Sequence, residues 1–184
     1  MPTLACSKTS WGSCPRSTFY RRLAKGGNIA VLPGLYVSAD TPLTETLMME
    51  CLSIKQPAAV LNLVSALAFH GMTTAIPYYL SVALPRGKYI PKLLTSPVKV
   101  WYTQPHLLKT GIQEYRGDLA TFRVTTPERT LLDCFRYRKS LGLDLFLEAA
   151  KTTLSCLNLP TLIRQAEELR ILAQITPYLT AFSA

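Results

Sequence analysis

Few residues of this chain have the type and spacing to do chemistry. The most suggestive stretch is Thr125–Asp133, T-T-P-E-R-T-L-L-D. Glu128 and Asp133 are the carboxylates to weigh first for acid–base work, and their setting favours a structural role. Thr126-Pro127-Glu128 reads as a helix start, with a threonine cap, a proline in the first turn and a carboxylate at the positive end of the helix dipole. Arg129 and Asp133 then lie four residues apart on that helix, the spacing of a side-chain ion pair. A catalytic carboxylate pair needs perturbed acidities in a cleft, which spacing alone does not establish.

His70 and His106 are far apart in the chain, and neither lies near a cluster of Cys or Asp, so no metal site is expected. His70 precedes Gly71 and reads as a residue that closes a helix. The five cysteines are Cys6, Cys14, Cys51, Cys134 and Cys156. Their odd number, wide spacing and lack of C-x-x-C argue against a disulfide framework and against zinc. Cys51, Cys134 and Cys156 fall in apolar helical patterns, where cysteine acts as a small buried hydrophobe. A reducing cytoplasm fits that usage. Phosphate-cradling glycine loops, H-E-x-x-H and G-x-S-x-G are absent from the sequence, so no catalytic residue and no cofactor is expected. The chain reads as a non-enzyme; a nuclease-like enzyme is the lesser alternative.

The chemistry that the residue types do favour is the binding of polyanions. The net charge is +9. It divides into +4 over residues 1–40 and +7 over residues 80–140, with −1 in each of the other two stretches. Basic blocks attract nucleic acid through counterion release, although positive charge also serves solubility alone. In the first block, Thr18 to Val37 reads T-F-Y-R-R-L-A-K-G-G-N-I-A-V-L-P-G-L-Y-V. A helix that ends in glycine and leads into a hairpin is how a winged helix-turn-helix finishes. Arg16, Thr18, Tyr20, Arg21, Arg22 and Lys25 are of the types that contact phosphates and base edges. The same pattern also suits a helix and hairpin that merely pack on the larger domain. In the second block, Arg86, Lys88 and Lys92, continued by Lys99, lie near Tyr89, Trp101 and Tyr102. Interleaved cations and rings suit a nucleic-acid or partner surface, and equally a solvated loop over a core strand.

The elements that must position these residues follow from local signals. Residues 1–15 show no periodicity. Pro15 to Lys25 reads as a short helix ended by Gly26-Gly27. Ile29–Leu32 and Leu35–Val37 read as strands joined through Pro33-Gly34. Asp40-Thr41-Pro42 opens a helix to about Ile54, and Gln56-Pro57 opens another through His70, apolar nearly all round and central to the core. Tyr78–Leu84, Val98–Tyr102 and Leu119–Val124 read as strands. The Thr126 helix runs to about Lys139, and two further helices are expected over 142–156 and 160–173. The fold class is α+β: an incomplete winged-helix module over 1–40, then an α+β domain over 41–184 with a small sheet packed by helices. No secretory signal or bilayer-spanning run is read, since the most apolar stretch, Ala58 to Phe69, is too short. No membrane partner is expected.

Four segments in this order, R-L-A-K-G-G…L-P-G-L-Y-V, V-S-A-L-A-F-H-G-M-T, V-A-L-P-R-G and T-T-P-E-R-T-L-L-D, resemble the AbiEi family of antitoxins from type IV toxin–antitoxin systems. The resemblance spans roughly residues 18–140. It implies a winged helix-turn-helix that binds operator DNA and represses its own operon. It also implies a C-terminal domain that opposes a nucleotidyltransferase-like toxin without forming a stable complex with it. His70, Glu128 and Arg129 lie in the family's motifs. The chain departs from the family at its N-terminus, where the first helices of the DNA-binding module are missing, as an upstream truncation or a frameshift would leave it. The alternative is a domain deficient in DNA binding that acts alone as an antitoxin.

Overall fold

Two sheets and a set of helices build an α+β fold, seen in a computed structural model that describes residues 4–6, 21 and 26–183. The first sheet is small. Strands β2 (Asn28–Leu32) and β3 (Leu35–Ser38) form the hairpin expected around Pro33-Gly34. Gly34 has φ of +75°, which a turn with proline before it requires and which glycine adopts without a Cβ penalty. β1 (Leu4–Cys6) pairs antiparallel with β3 on its other side, so the order is β1-β3-β2. Residues 1–15 show no periodicity, yet three of them enter a sheet. A strand this short leaves no pattern to read. Of the helix expected over Pro15–Lys25, Arg21 is helical and exposed, and its other residues lie outside the described ones.

The second sheet has five strands in the order β6-β5-β4-β8-β7. These are β4 (Val60–Leu61), β5 (Leu80–Pro85), β6 (Val98–Thr103), β7 (Ile112–Arg116) and β8 (Thr121–Thr125). β4 lies at the centre, antiparallel to β5 and parallel to β8. β5 and β6 run parallel, and β7 and β8 antiparallel.

One expected element divides. The apolar run from Pro57 through His70 is two elements, β4 and then α2 (Leu63–Phe69), after α1 (Glu45–Lys55). A short continuous apolar run reads the same whether it is a buried strand or a buried helix. Asn62 turns the chain between the two, and Leu63 takes φ of +49° to start the helix. β7 was not expected, because I-Q-E-Y-R offers little apolar alternation. The helix opened by Thr126 is α3 (Pro127–Arg136), followed by a separate turn of helix, α4 (Arg138–Leu141). α5 (Leu143–Thr153), α6 (Leu159–Glu168) and α7 (Leu172–Ser183) complete the chain. α7 is unexpected; Pro177 lies inside it, and Arg170 breaks the path before it with φ of +57°.

The sheet separates two cores. On one face, Leu61, Val82, Leu84, Phe122 and Val124 pack with Met49 and Leu52 of α1 and with Val31, Leu32, Leu35 and Val37 of the hairpin. On the other face, Leu63 and Leu67 of α2, Leu131 and Phe135 of α3, Phe146 of α5, Leu162 of α6 and Ile175 of α7 pack together. Each fully buried side chain of this size contributes about 1.5–3 kcal/mol. Cys51 and Cys134 are buried as expected, whereas Cys156 is exposed, because its helical pattern ends in a short 3₁₀ turn at Leu154–Cys156. No helix among the described residues is long and apolar enough to cross a membrane.

Candidate functional site

Two of the sequence motifs meet at one corner, where β8 turns into α3. Thr126 caps α3 by accepting from the Arg129 N–H at 3.3 Å, with Pro127 in the first turn. The Thr126 N–H donates to the Gly111 carbonyl at 2.9 Å. Behind it, the Thr125 and Thr130 hydroxyls are 2.7 Å apart, and Thr130 donates to the Thr126 carbonyl at 2.8 Å. Thr125 reaches the Leu61 carbonyl of β4 at 3.4 Å. The corner is thus tied to the central strand by hydroxyls that are themselves buried, so each needs these partners.

His70 closes α2, and Gly71 follows in the left-handed region at φ of +66°. The imidazole does not cap its own helix. It crosses to the corner, where Nε2 donates to the Thr125 carbonyl at 2.7 Å. A carbonyl only accepts, so the proton of the neutral ring sits on Nε2. Burial lowers the pKa of His70 from its ordinary value, opposed by the Thr125 carbonyl and by the Glu128 charge. Glu128 lies in the first turn of α3, and one of its oxygens accepts from the Asn158 N–H at 3.2 Å.

Arg129 and Asp133 pair as their spacing requires, Nε to Oδ2 at 2.9 Å, and both are buried. Arg129 also donates from Nη1 to the Thr110 carbonyl at 3.1 Å. Burial pushes the Asp133 carboxyl up from its ordinary value, with Arg129 opposing. Gly111 lets this arginine pass: a Cβ there would sit 2.8 Å from the Arg129 Cβ. His70, Glu128 and Arg129 therefore serve one joint between α2, β8, α3 and the loop before β7. A buried pair and a histidine on a backbone carbonyl can hold that joint and sense acid. Among the described residues no group of three or more His, Cys, Asp or Glu could hold a metal ion.

Other polar residues of the interior carry no sequence signal. Glu50, in the middle of α1, accepts from the Leu119 and Ala120 N–H groups at 2.6 and 3.0 Å and so fixes the turn between β7 and β8. A Cβ on Gly117 would overlap that carboxylate. Asn62 accepts from the Ser81 hydroxyl at 3.0 Å. Their only trace in the sequence is a polar residue inside an apolar pattern.

The second basic block has a defined place. Arg86, Lys88 and Lys92 are exposed on the connection between β5 and β6. The Lys88 N–H bonds the Pro85 carbonyl at 3.1 Å, and Gly87 takes φ of +82° in this turn. The Gln56 amide holds the Tyr89 carbonyl at 2.7 Å. Further on, Leu93 is buried in the same core as the hairpin, and the Leu94 N–H donates to the Val31 carbonyl at 2.9 Å. The loop thus lies beside β2. Of the residues expected to contact DNA, Arg21 is exposed, while Arg16, Thr18, Tyr20, Arg22 and Lys25 lie outside the described residues.

Neither a family profile nor a curated protein matches this chain. Its fold is similar to the crystal structure of the RV2827C protein from Mycobacterium tuberculosis, with a TM-score of 0.60 and 17% sequence identity. The likeness covers 84% of this chain and 60% of that one, so the chain spans less than two thirds of its neighbour's length. At that identity the likeness is one of fold.

Proposed function

We propose that this chain is a cytoplasmic, non-enzymatic regulator of the antitoxin type, which binds operator DNA through its N-terminal sheet and opposes a nucleotidyltransferase-like toxin without a stable complex. The observation that carries the reading is the bond from the Leu94 N–H to the Val31 carbonyl. It brings the loop of Arg86, Lys88 and Lys92 beside the hairpin that follows the first basic block. The second basic stretch then borders the hairpin that the first one precedes in sequence, an order that suits a polyanion. The sheet order β1-β3-β2 adds support: a strand early in the first basic block closes the hairpin into a three-stranded sheet of the kind a winged module uses. Buried Cys51, its thiol pushed up to about 12 by burial, suits a reducing compartment because it is held as an inert thiol.

The test is a gel shift on the promoter of the chain's own operon across a salt series. Salt-sensitive binding that is lost on Arg21→Ala with Arg22→Ala is expected. Binding indifferent to both changes would overturn the DNA part. The antitoxin part is tested by co-expression with the neighbouring toxin-like gene. Rescue of growth by the same double variant, with no gel shift, would favour an antitoxin that acts without DNA. The full chain is the right vehicle, because Val31, Leu32, Leu35 and Val37 are packed into the core of the larger domain and a 41–184 fragment would uncover it.

A further inference from the structure

Away from the hairpin and the corner, one face carries aromatic rings and cations in unbroken contact. It begins on the loop between α2 and β5, where Ile76 and Tyr78 are 93% and 82% exposed. Tyr78 meets Tyr79 edge to face, with centroids 4.7 Å apart. The Lys99 ammonium lies 5.3 Å from the Tyr79 ring centre and 4.6 Å from that of Trp101. Trp101 packs on Tyr137 at 4.8 Å, and the Arg136 guanidinium lies 5.6 Å from the Tyr137 ring centre.

A hollow flanks each end of this track. The first, of about 330 Å³, has Tyr78, Tyr79 and Lys99 in its walls. The second, also about 330 Å³, is walled by His106, Arg136 and Arg170, with Glu168 as its acid. Glu168 already has Arg164 as a partner at 3.9 Å. Among the described residues, neither Arg136 nor Arg170 has a carboxylate within ion-pair distance. Arg170 also holds its place in the left-handed region, at φ of +57°, where glycine or asparagine is the usual residue after a helix. Backbone strain of this kind tends to persist where a side chain is needed.

We propose that this face binds single-stranded nucleic acid, with bases stacking on Tyr78 and Tyr79 and phosphates following Lys99, Arg136 and Arg170. Exposed rings offer their faces only to unpaired bases, since a duplex keeps its bases stacked on each other. Ring pairs parted by cations, Tyr78–Tyr79, Lys99, Trp101–Tyr137 and Arg136, suit a strand that offers bases and phosphates in turn. A protein partner would explain the apolar end at Ile76 but not the arginines without a bonded carboxylate at the other. The site shares no residue with the hairpin surface, so it stands or falls apart from the operator reading.

The test is fluorescence anisotropy of the full chain with labelled oligouridine RNA, oligothymidine DNA and a mixed-sequence duplex. Saturable binding to the single strands is expected, and Tyr78→Ala with Lys99→Ala should weaken it by about tenfold or more. Both side chains are exposed, so circular dichroism should show these variants folded. Lys99→Ala alone should flatten the log–log salt dependence by about 0.7, the value for one phosphate contact on a single strand. Arg21→Ala with Arg22→Ala should leave single-strand affinity unchanged. Tighter binding to RNA than to DNA supports the proposal with contacts to the 2′-hydroxyl, and equal binding supports it through bases and phosphates alone. Unchanged affinity in the Tyr78/Lys99 variant, loss only in the Arg21/Arg22 variant, or equal displacement by polyglutamate would each overturn it. So would the lack of saturable binding at low salt, which would leave the Ile76–Tyr78 patch to a protein.

Discussion

His70 Nε2 donates to the Thr125 carbonyl at 2.7 Å, and this one bond fastens the end of α2 to the end of β8. The ring must be neutral to sit there at low cost, because burial lowers its pKa below the ordinary 6.5. Between the folded and unfolded values the unfolded chain holds the extra proton, so stability rises with pH in that window. It is fully present above the unfolded value and is lost as pH falls through the folded one. The unfolding free energy from urea titrations should therefore fall as the pH drops below about 6.5, with a slope from this group of at most about 1.4 kcal/mol per pH unit. His70→Gln keeps a donor near Thr125 and cannot titrate, so its drop should be smaller. An equal drop in the variant would assign the acid sensitivity elsewhere.

The pair of Arg129 and Asp133 behaves as a buried unit. Arg129→Ala leaves the carboxylate of Asp133 and the carbonyl of Thr110 without their donor. Breaking a buried pair from one side costs about 3–5 kcal/mol. The double change Arg129→Met with Asp133→Leu should recover most of that loss, since apolar groups of similar volume need no partner. Equilibrium urea unfolding of the two variants decides the matter: equal losses would mean that the pair is not a unit.

Glu50 and Gly117 should prove strongly non-additive. Glu50→Ala strips the acceptor from two N–H groups in the β7–β8 turn, at about 1–3 kcal/mol for each left unsatisfied. Gly117→Ala pushes a methyl group into the same carboxylate. In the Glu50→Ala background the clash is gone, so Gly117→Ala should cost markedly less there than in the parent chain. A double-mutant cycle on thermal unfolding measures the difference, and simple additivity would contradict the geometry.

The loop beside β2 offers a graded test of the operator reading. Lys88→Ala and Lys92→Ala remove exposed cations from the connection between β5 and β6. On duplex DNA each lost phosphate contact should flatten the log–log salt slope by about 0.9. Filter binding at several salt concentrations reads this directly. A slope that stays constant through both changes would exclude the loop from the DNA contact.

What could be read from the residues depended on how local the cause was. The start of α3 was plain, since cap, proline and carboxylate stand in adjacent positions at Thr126, Pro127 and Glu128. The partnership of Arg129 with Asp133 follows from helix geometry alone, but its burial does not, because α6 and the Gly111 loop that cover it come from elsewhere in the chain. Val60–Leu61 became a strand because β5 and β8 flank it, a tertiary cause with no local mark. β1 owes its place to β3, some 30 residues away. The ring-and-cation face is half visible: Lys99 and Trp101 stand close in sequence, whereas Tyr78, Tyr137 and Arg170 arrive from three other parts of the chain.

The hairpin's apolar side is one solid with the body behind it: Val31 and Val37 share their neighbours with Met49 and Phe122. Such a hairpin is no arm on a tether. It cannot tilt to follow a bent or widened groove, so any duplex seated on it must do the bending. On the operator reading, the angular tolerance of recognition would lie wholly in the nucleic acid, and the choice among sequences would shift toward how readily each one deforms.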